Sequence, residues 1–271
     1  MTRTALWLFL ILLGLGVGRL EAARPANPPA PKDVTLETAD NVELGATYYP
    51  PWIEPDDVAP AVILLHEAGR TRHIWEPFAR LLQRNGIAAL TLDLRGHGDS
   101  VRQVTAEGLQ RLDVAKFGPR EYQQMLLDLE AAWDFLSTQL EVDTLRIAVM
   151  GSVLGANLAI QYAVVNDEVA ALVLLSPAIE NQGLRADEAL QKLGKIPLRI
   201  VVAAGDAEMF EAAKTLLALR RSDPAGSGDY KELIAATGTV RGTDLLRRVE
   251  SLPARLIAWL RQQFALPDVS E

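Results

Sequence analysis

The sequence predicts an α/β protein, a single domain on a doubly wound, mostly parallel sheet with helices on both faces. Two patterns carry that prediction. Segments 61–65, 87–92, 145–150, 169–175 and 198–203 are short, largely unbroken apolar runs, and a strand reads so when both of its faces are covered. Between them apolar residues recur at spacings of three and four, the mark of helices, so strands and helices alternate along the chain. A chain of 271 residues is long enough to bury one large core of this kind.

Taken in order, segments 34–38 and 42–48 alternate apolar and polar residues about a turn at Ala39-Asp40-Asn41, which predicts an antiparallel hairpin. The apolar runs follow as parallel strands. The clearest helix starts at Pro119, with Tyr122, Met125, Leu126, Leu129, Trp133 and Leu136 on one face. Leu245, Val249, Leu256, Leu260 and Phe264 predict one closing helix. The domain therefore spans 33–266, with a short tail at 267–271. Neither an internal repeat nor a second domain boundary is visible.

The amino terminus has a different character. Met1-Thr2-Arg3 is a short basic start, and residues 5–17 are apolar throughout. That run is too short to cross a bilayer as a helix, which takes about 20 residues, and suits the core of a secretory signal. Residues 1–23 are thus read as a signal peptide, with an uncleaved membrane anchor as the alternative. Residues 24–32 contain four prolines and predict an extended linker, a spacer or a frayed end. The expected location is outside the cytoplasm, periplasmic or secreted.

Composition narrows the function. The net charge is −8, and removal of 1–23 would leave −9. Such a surface repels nucleic acid and anionic lipid, so membrane contact is expected only through an uncleaved amino terminus. With no cysteine there is no disulfide, thiolate metal site or cysteine nucleophile. His66-Glu67 starts like a zinc-protease motif, but Arg70 stands where its second histidine belongs. No glycine-rich dinucleotide fingerprint follows a strand, and neither metal nor cofactor is expected.

Three segments each follow an apolar run: His66-Glu67-Ala68-Gly69, Asp93-Leu94-Arg95-Gly96-His97-Gly98-Asp99-Ser100, and Gly151-Ser152-Val153-Leu154-Gly155-Ala156-Asn157. In this order the chain, from about Val34 to Phe264, resembles the α/β-hydrolase superfamily, especially its lidless esterase-like and dienelactone-hydrolase-like members. The resemblance implies a nucleophile on a sharp strand-to-helix turn, with small residues two before and two after it. Gly151 and Gly155 fit those places, which puts Val153, a residue without a nucleophilic atom, at the nucleophile position. Shifting to Ser152 would put Met150 and Leu154 in the small-residue places. The family's catalytic histidine precedes the final helix, yet the three histidines here are His66, His73 and His97. Segment 238–246 resembles the family's histidine loop with Arg241 in the histidine place, and a guanidinium cannot act as a base. The orienting acid would be Asp206 or Glu208, unless Ala207 holds that position. Main-chain donors of an oxyanion hole would come from the Glu67–Ala68 region and from Leu154.

The resemblance therefore implies a hydrolase fold without hydrolase chemistry, acting by binding or scaffolding in the cell envelope. A working carboxylic-ester hydrolase with displaced residues is the alternative. The expected partner is an envelope protein or a small anionic ligand. Two geometric expectations follow. The turn at Val153 keeps its outline, and Arg241 pairs with Asp206 or Glu208 unless it points free into an anion-accepting cavity.

Overall fold

A computed structural model describes residues 24–219 and 231–266. The expected signal at 1–23 and the tail at 267–271 lie outside the described residues. The chain opens with the hairpin β1 (Lys32–Glu37) and β2 (Val42–Tyr49), then β3 (Ala59–Leu65), α1 (Glu76–Arg84) and β4 (Ala88–Leu92). A small hairpin follows, β5 (Arg102–Thr105) and β6 (Gly108–Arg111), then α2 (Pro119–Gln124) and α3 (Leu126–Ser137). The long β7 (Val142–Ser152) runs into α4 (Leu154–Val165) and β8 (Ala171–Leu175). After the two-residue strands β9 (Glu180–Asn181) and β10 (Leu184–Arg185) come α5 (Ala186–Lys192), β11 (Leu198–Ala203) and α6 (Ala207–Leu219). β12 (Lys231–Ala236), α7 (Asp244–Arg248) and α8 (Leu252–Gln263) complete the fold.

The main sheet has the order β12-β11-β8-β7-β3-β4-β2-β5-β6, with β1 paired to β2. The strands from β12 to β4 are parallel, and β2 joins β4 antiparallel. Alternation within each apolar run explains its unbroken character. Ala61, Ile63 and Leu65 face the core shared with α3 and α4, whereas Val62 and Leu64 face the core shared with α1 and α8. From β3 the chain moves outward to β4 and then returns to β7 on the other side. That reversal of strand order opens a crevice at the carboxyl ends of β3 and β7, where ligands of such sheets sit.

Three expectations need correction. The helix from Pro119 divides at Met125, where turns tighten to i+3 bonds such as Asp128 N–H to the Met125 carbonyl at 3.1 Å. The closing helix is two helices, because Val249 is extended (φ −110°, ψ 94°) and Pro253 favours a fresh helix start. The linker is neither a spacer nor frayed. The Trp52 indole N–H donates to the Pro25 carbonyl at 2.8 Å, Gln83 donates to the Pro29 carbonyl at 3.0 Å, and Arg24 stacks over Trp52. β1 then begins at Lys32, one residue before the expected boundary.

Candidate active site

Two arginines fix the loop after β4, which borders the crevice. Buried Arg95 donates to Asp128 at 2.7 Å and to both Asp40 oxygens at 2.7 and 3.0 Å. Arg72 binds Asp93, whose carboxylate also accepts the Arg72 and Asp99 main-chain N–H groups. Breaking either buried pair would strand a charge, so the loop is held tightly.

His66 joins this loop to the end of β3. Leu94 N–H donates to its Nε2 at 3.0 Å, so the proton sits on Nδ1, which donates to the Glu67 carbonyl at 2.8 Å. His97 packs edge-on against it at 5.0 Å. Burial pushes the His66 imidazole down to about 4. Above a free imidazole's value of about 6.5 both folded and unfolded forms are neutral; below it the unfolded chain takes the proton first. Stability is therefore lost as pH falls from about 6.5 toward about 4. Urea denaturation at pH ~7 and pH ~4.5 should show a loss at His66 of about 2–3 kcal/mol, absent from His66→Gln. Equal pH slopes for the two proteins would remove His66 as the cause.

β7 ends in the sharp turn expected at Val153. Its φ of 49° and ψ of −102° are a genuine outlier for a β-branched residue, and α4 starts at the next residue. Such a conformation costs about 1–3 kcal/mol. The flanking glycines explain why it persists. A Cβ on Gly151 would lie 2.1 Å from the Gly155 carbonyl oxygen, and one on Gly155 would lie 2.4 Å from the Leu65 carbonyl oxygen. Only bare backbone lets strand, turn and helix approach this closely. Leu154 opens α4, so its N–H has no acceptor within the helix.

Ser152 is completely buried, and its hydroxyl has no hydrogen-bond partner among the described residues. Gly242 covers it: a Cβ there would stand 2.5 Å from the Ser152 Oγ and 3.3 Å from Val153 Cγ2. The 241–242 loop thus lies directly over the turn. Gly242 N–H donates to the Ser176 hydroxyl at 3.1 Å, and Ser176 itself adopts φ 50°.

Arg241 pairs as expected. Its Nη2 donates to Asp206 at 2.8 Å and to Glu208 at 2.7 Å, and its Nε donates to Asp206 as well. Both candidate acids therefore reach it, but only Asp206 is buried, following β11 and accepting the Met209 N–H at 3.3 Å. The Arg241 guanidinium holds the Asp206 carboxyl below the usual carboxylate range. Because the arginine side chain is 48% exposed, the clasp contributes only about 1 kcal/mol. Its meaning is geometric: position 241 lies against the acid. The alternative, a free arginine in an anion-accepting cavity, is not what forms. The surface cavities beside Arg72, Phe117, Pro119 and Tyr162 are lined by none of Glu67, Val153 and Arg241.

Glu67 makes a side-chain contact not expected from the sequence: its carboxylate accepts the Thr243 hydroxyl at 2.7 Å and latches the β3 loop to the 241–243 loop. Its other oxygen is buried without a partner among the described residues. Thr243, Ser176 and Asn157 were not singled out from the sequence. Asn157 is the one with a signal, a polar residue on the apolar face of a helix; it accepts the Ala178 N–H at 3.1 Å and donates to the Leu184 carbonyl at 2.9 Å. Among the described residues no group of three or more His, Cys, Asp or Glu residues could hold a metal ion.

The sheet order and the turn at its switch point define an α/β-hydrolase-fold protein. Chains of known structure agree in fold: an α/β hydrolase from a Penicillium species (TM-score 0.68, 17% identity, 88% of this chain and 100% of that one) and the dienelactone hydrolase of Anabaena variabilis (TM-score 0.61, 18% identity, 88% and 98%). An esterase of Pyrococcus furiosus is similar at TM-score 0.61 and 20% identity, over 86% and 91% of the two chains. The chain belongs to the hydrolase family described as serine aminopeptidase, S33, whose model matches residues 56–254. An uncharacterized protein of Mycobacterium tuberculosis is 34% identical over 149 residues, 55% of this chain, and the chain spans 46% of that relative's length.

Proposed function

We propose that this chain is a non-catalytic member of its hydrolase family, exported to the cell envelope and acting there by binding or scaffolding. The observation that carries the reading is Val153 in the strained turn. The backbone geometry of a nucleophile is kept while the side chain offers no atom to attack with. Arg241, clasped on Asp206 and Glu208, supports it from the other side of the site, because a permanently charged guanidinium takes up no proton. The burial of Ser152 beneath Gly242 speaks against a displaced nucleophile. Export rests on the basic start and apolar run of residues 1–23. No helix among the described residues is long and apolar enough to cross a membrane.

The test is a fluorophosphonate probe together with short-chain 4-nitrophenyl esters. The unmodified protein is expected to stay unlabelled and to hydrolyse the esters no faster than an unrelated acidic protein. Labelling and turnover that both disappear in Ser152→Ala would overturn the proposal.

A further inference from the structure

Three cavities run end to end along α2 and α3, away from the turn at Val153. The first, about 380 Å³, lies between the β5–β6 hairpin and α2, and its wall carries Arg111, Lys116 and Arg120. The second, about 620 Å³, is lined by Pro119, Leu126 and Leu127, and it shares Arg120 and Gln124 with the first. The third, about 460 Å³, shares Leu126 and Leu127 with the second and continues past Tyr162 and Val165 to Glu130, Asp167 and Glu168. The track is thus cationic at one end, apolar in the middle and acidic at the far end.

The carboxylates of the cationic end are engaged locally. Asp113 accepts the Ala115 N–H at 3.2 Å and faces Lys116 at 3.7 Å, while Glu121 accepts the Gly118 N–H at 2.8 Å. Arg95, at the floor, is committed to Asp40 and Asp128. Arg111 and Arg120 are exposed, and Arg120 acts on the adjacent Glu121 carboxylate through space. On a chain of net charge −8, two exposed guanidiniums on one cavity wall, with Lys116 beside them, run against the overall charge.

We propose that this track binds an anionic amphiphile, with a carboxylate or phosphate head between Arg111 and Arg120 and an alkyl tail along Pro119, Leu126 and Leu127. Planar guanidiniums match either head by paired hydrogen bonds. The tail gains by covering exposed apolar surface, at roughly 25 cal/mol per Å². Glu130, Asp167 and Glu168 repel a second negative group, which restricts the ligand to one charged end. Nothing here depends on residues 153 or 241, so the site stands apart from the catalytic question.

Calorimetric titration of the full chain with decanoate, decyl phosphate, decanol and inorganic phosphate, all below micelle formation, tests this. Both anionic amphiphiles should bind, and decanol and inorganic phosphate at least tenfold more weakly. Whichever of the two amphiphiles binds tighter identifies the head group. Arg111→Gln with Arg120→Gln should weaken both at least tenfold with an unchanged melting temperature, and Leu127→Gln should weaken them through the tail. Lys116→Gln provides a second, smaller loss should the double variant be unstable. Decanol or phosphate binding as tightly as the amphiphiles, no binding at all, or full affinity in the arginine variants would overturn the proposal.

Discussion

The double variant Val153→Ser/Arg241→His is expected to hydrolyse 4-nitrophenyl acetate on the order of 100-fold faster than either single variant, the lower end of what a positioned base supplies. The parts around these two positions are already in place. A serine at 153 would inherit the strained φ of 49°, which aims its side chain at the 241–242 loop. A histidine at 241 would lie against Asp206, a buried carboxylate already accepting hydrogen bonds from that position. The Leu154 N–H stands at the start of α4 with no acceptor in the helix, the place at which an oxyanion donor is expected. Each single variant lacks one half: Val153→Ser faces a guanidinium that takes no proton, and Arg241→His has a base with nothing to activate. The gain should therefore be strongly non-additive, the signature of residues acting as a unit. Glu67 opposes it, because its carboxylate stands beside the same loop, 3.3 Å from the place a Gly242 Cβ would take, and adds negative charge there. Adding Glu67→Gln should raise the rate further. A double variant no faster than the singles would show that residue 241 does not occupy the base position.

Much of this site was legible in the sequence because its determinants are local. Gly151 and Gly155, four residues apart at a strand-to-helix junction, announce a turn too crowded for a Cβ, and the structure contains that turn. The Arg241 clasp was legible for a related reason: a strand end and a loop that meet in this fold carried opposite charges. What was not legible depends on contacts distant in sequence. The latch between Glu67 and Thr243 joins residues 176 positions apart, and no spacing rule links them. Asn157 reaches the Ala178 and Leu184 segments through a loop whose path is set by packing. The β5–β6 hairpin was missed because its strands are short and exposed, without the apolar alternation that marks a half-buried strand. The break in the closing helix was readable from Pro253, which the apolar spacing of Leu245, Val249 and Leu256 overrode.

Gly155→Ala is expected to destabilise the fold by about 3 kcal/mol or more, at or beyond the upper end for overpacked cores. The reason lies in what the new methyl would meet. It would fall 2.4 Å from the Leu65 carbonyl oxygen and 2.8 Å from the Leu65 carbonyl carbon, distances real Cβ atoms do not show. Side chains can swing aside from such a clash, but Leu65 is backbone of β3, paired with β4 on one side and β7 on the other. Relief requires α4 to lift from the sheet and expose the apolar residues it covers, among them Leu154, Leu158 and Tyr162. Gly69 supplies the contrast. It has φ 76° but nothing within 4 Å of the place a methyl would take, so its alanine variant should cost only the conformational penalty, about 1–2 kcal/mol. Urea denaturation with unchanged slopes would measure both. The difference bears on why Val153 remains strained although valine has no nucleophilic atom to present. If strand and helix are locked together at Gly151 and Gly155, the residue between them has no lower-energy conformation to relax into, and the strain is a consequence of packing. A Gly155→Ala cost below about 1 kcal/mol would mean the contact yields easily, and the outlier at Val153 would then need a cause other than the close approach of α4 to β3.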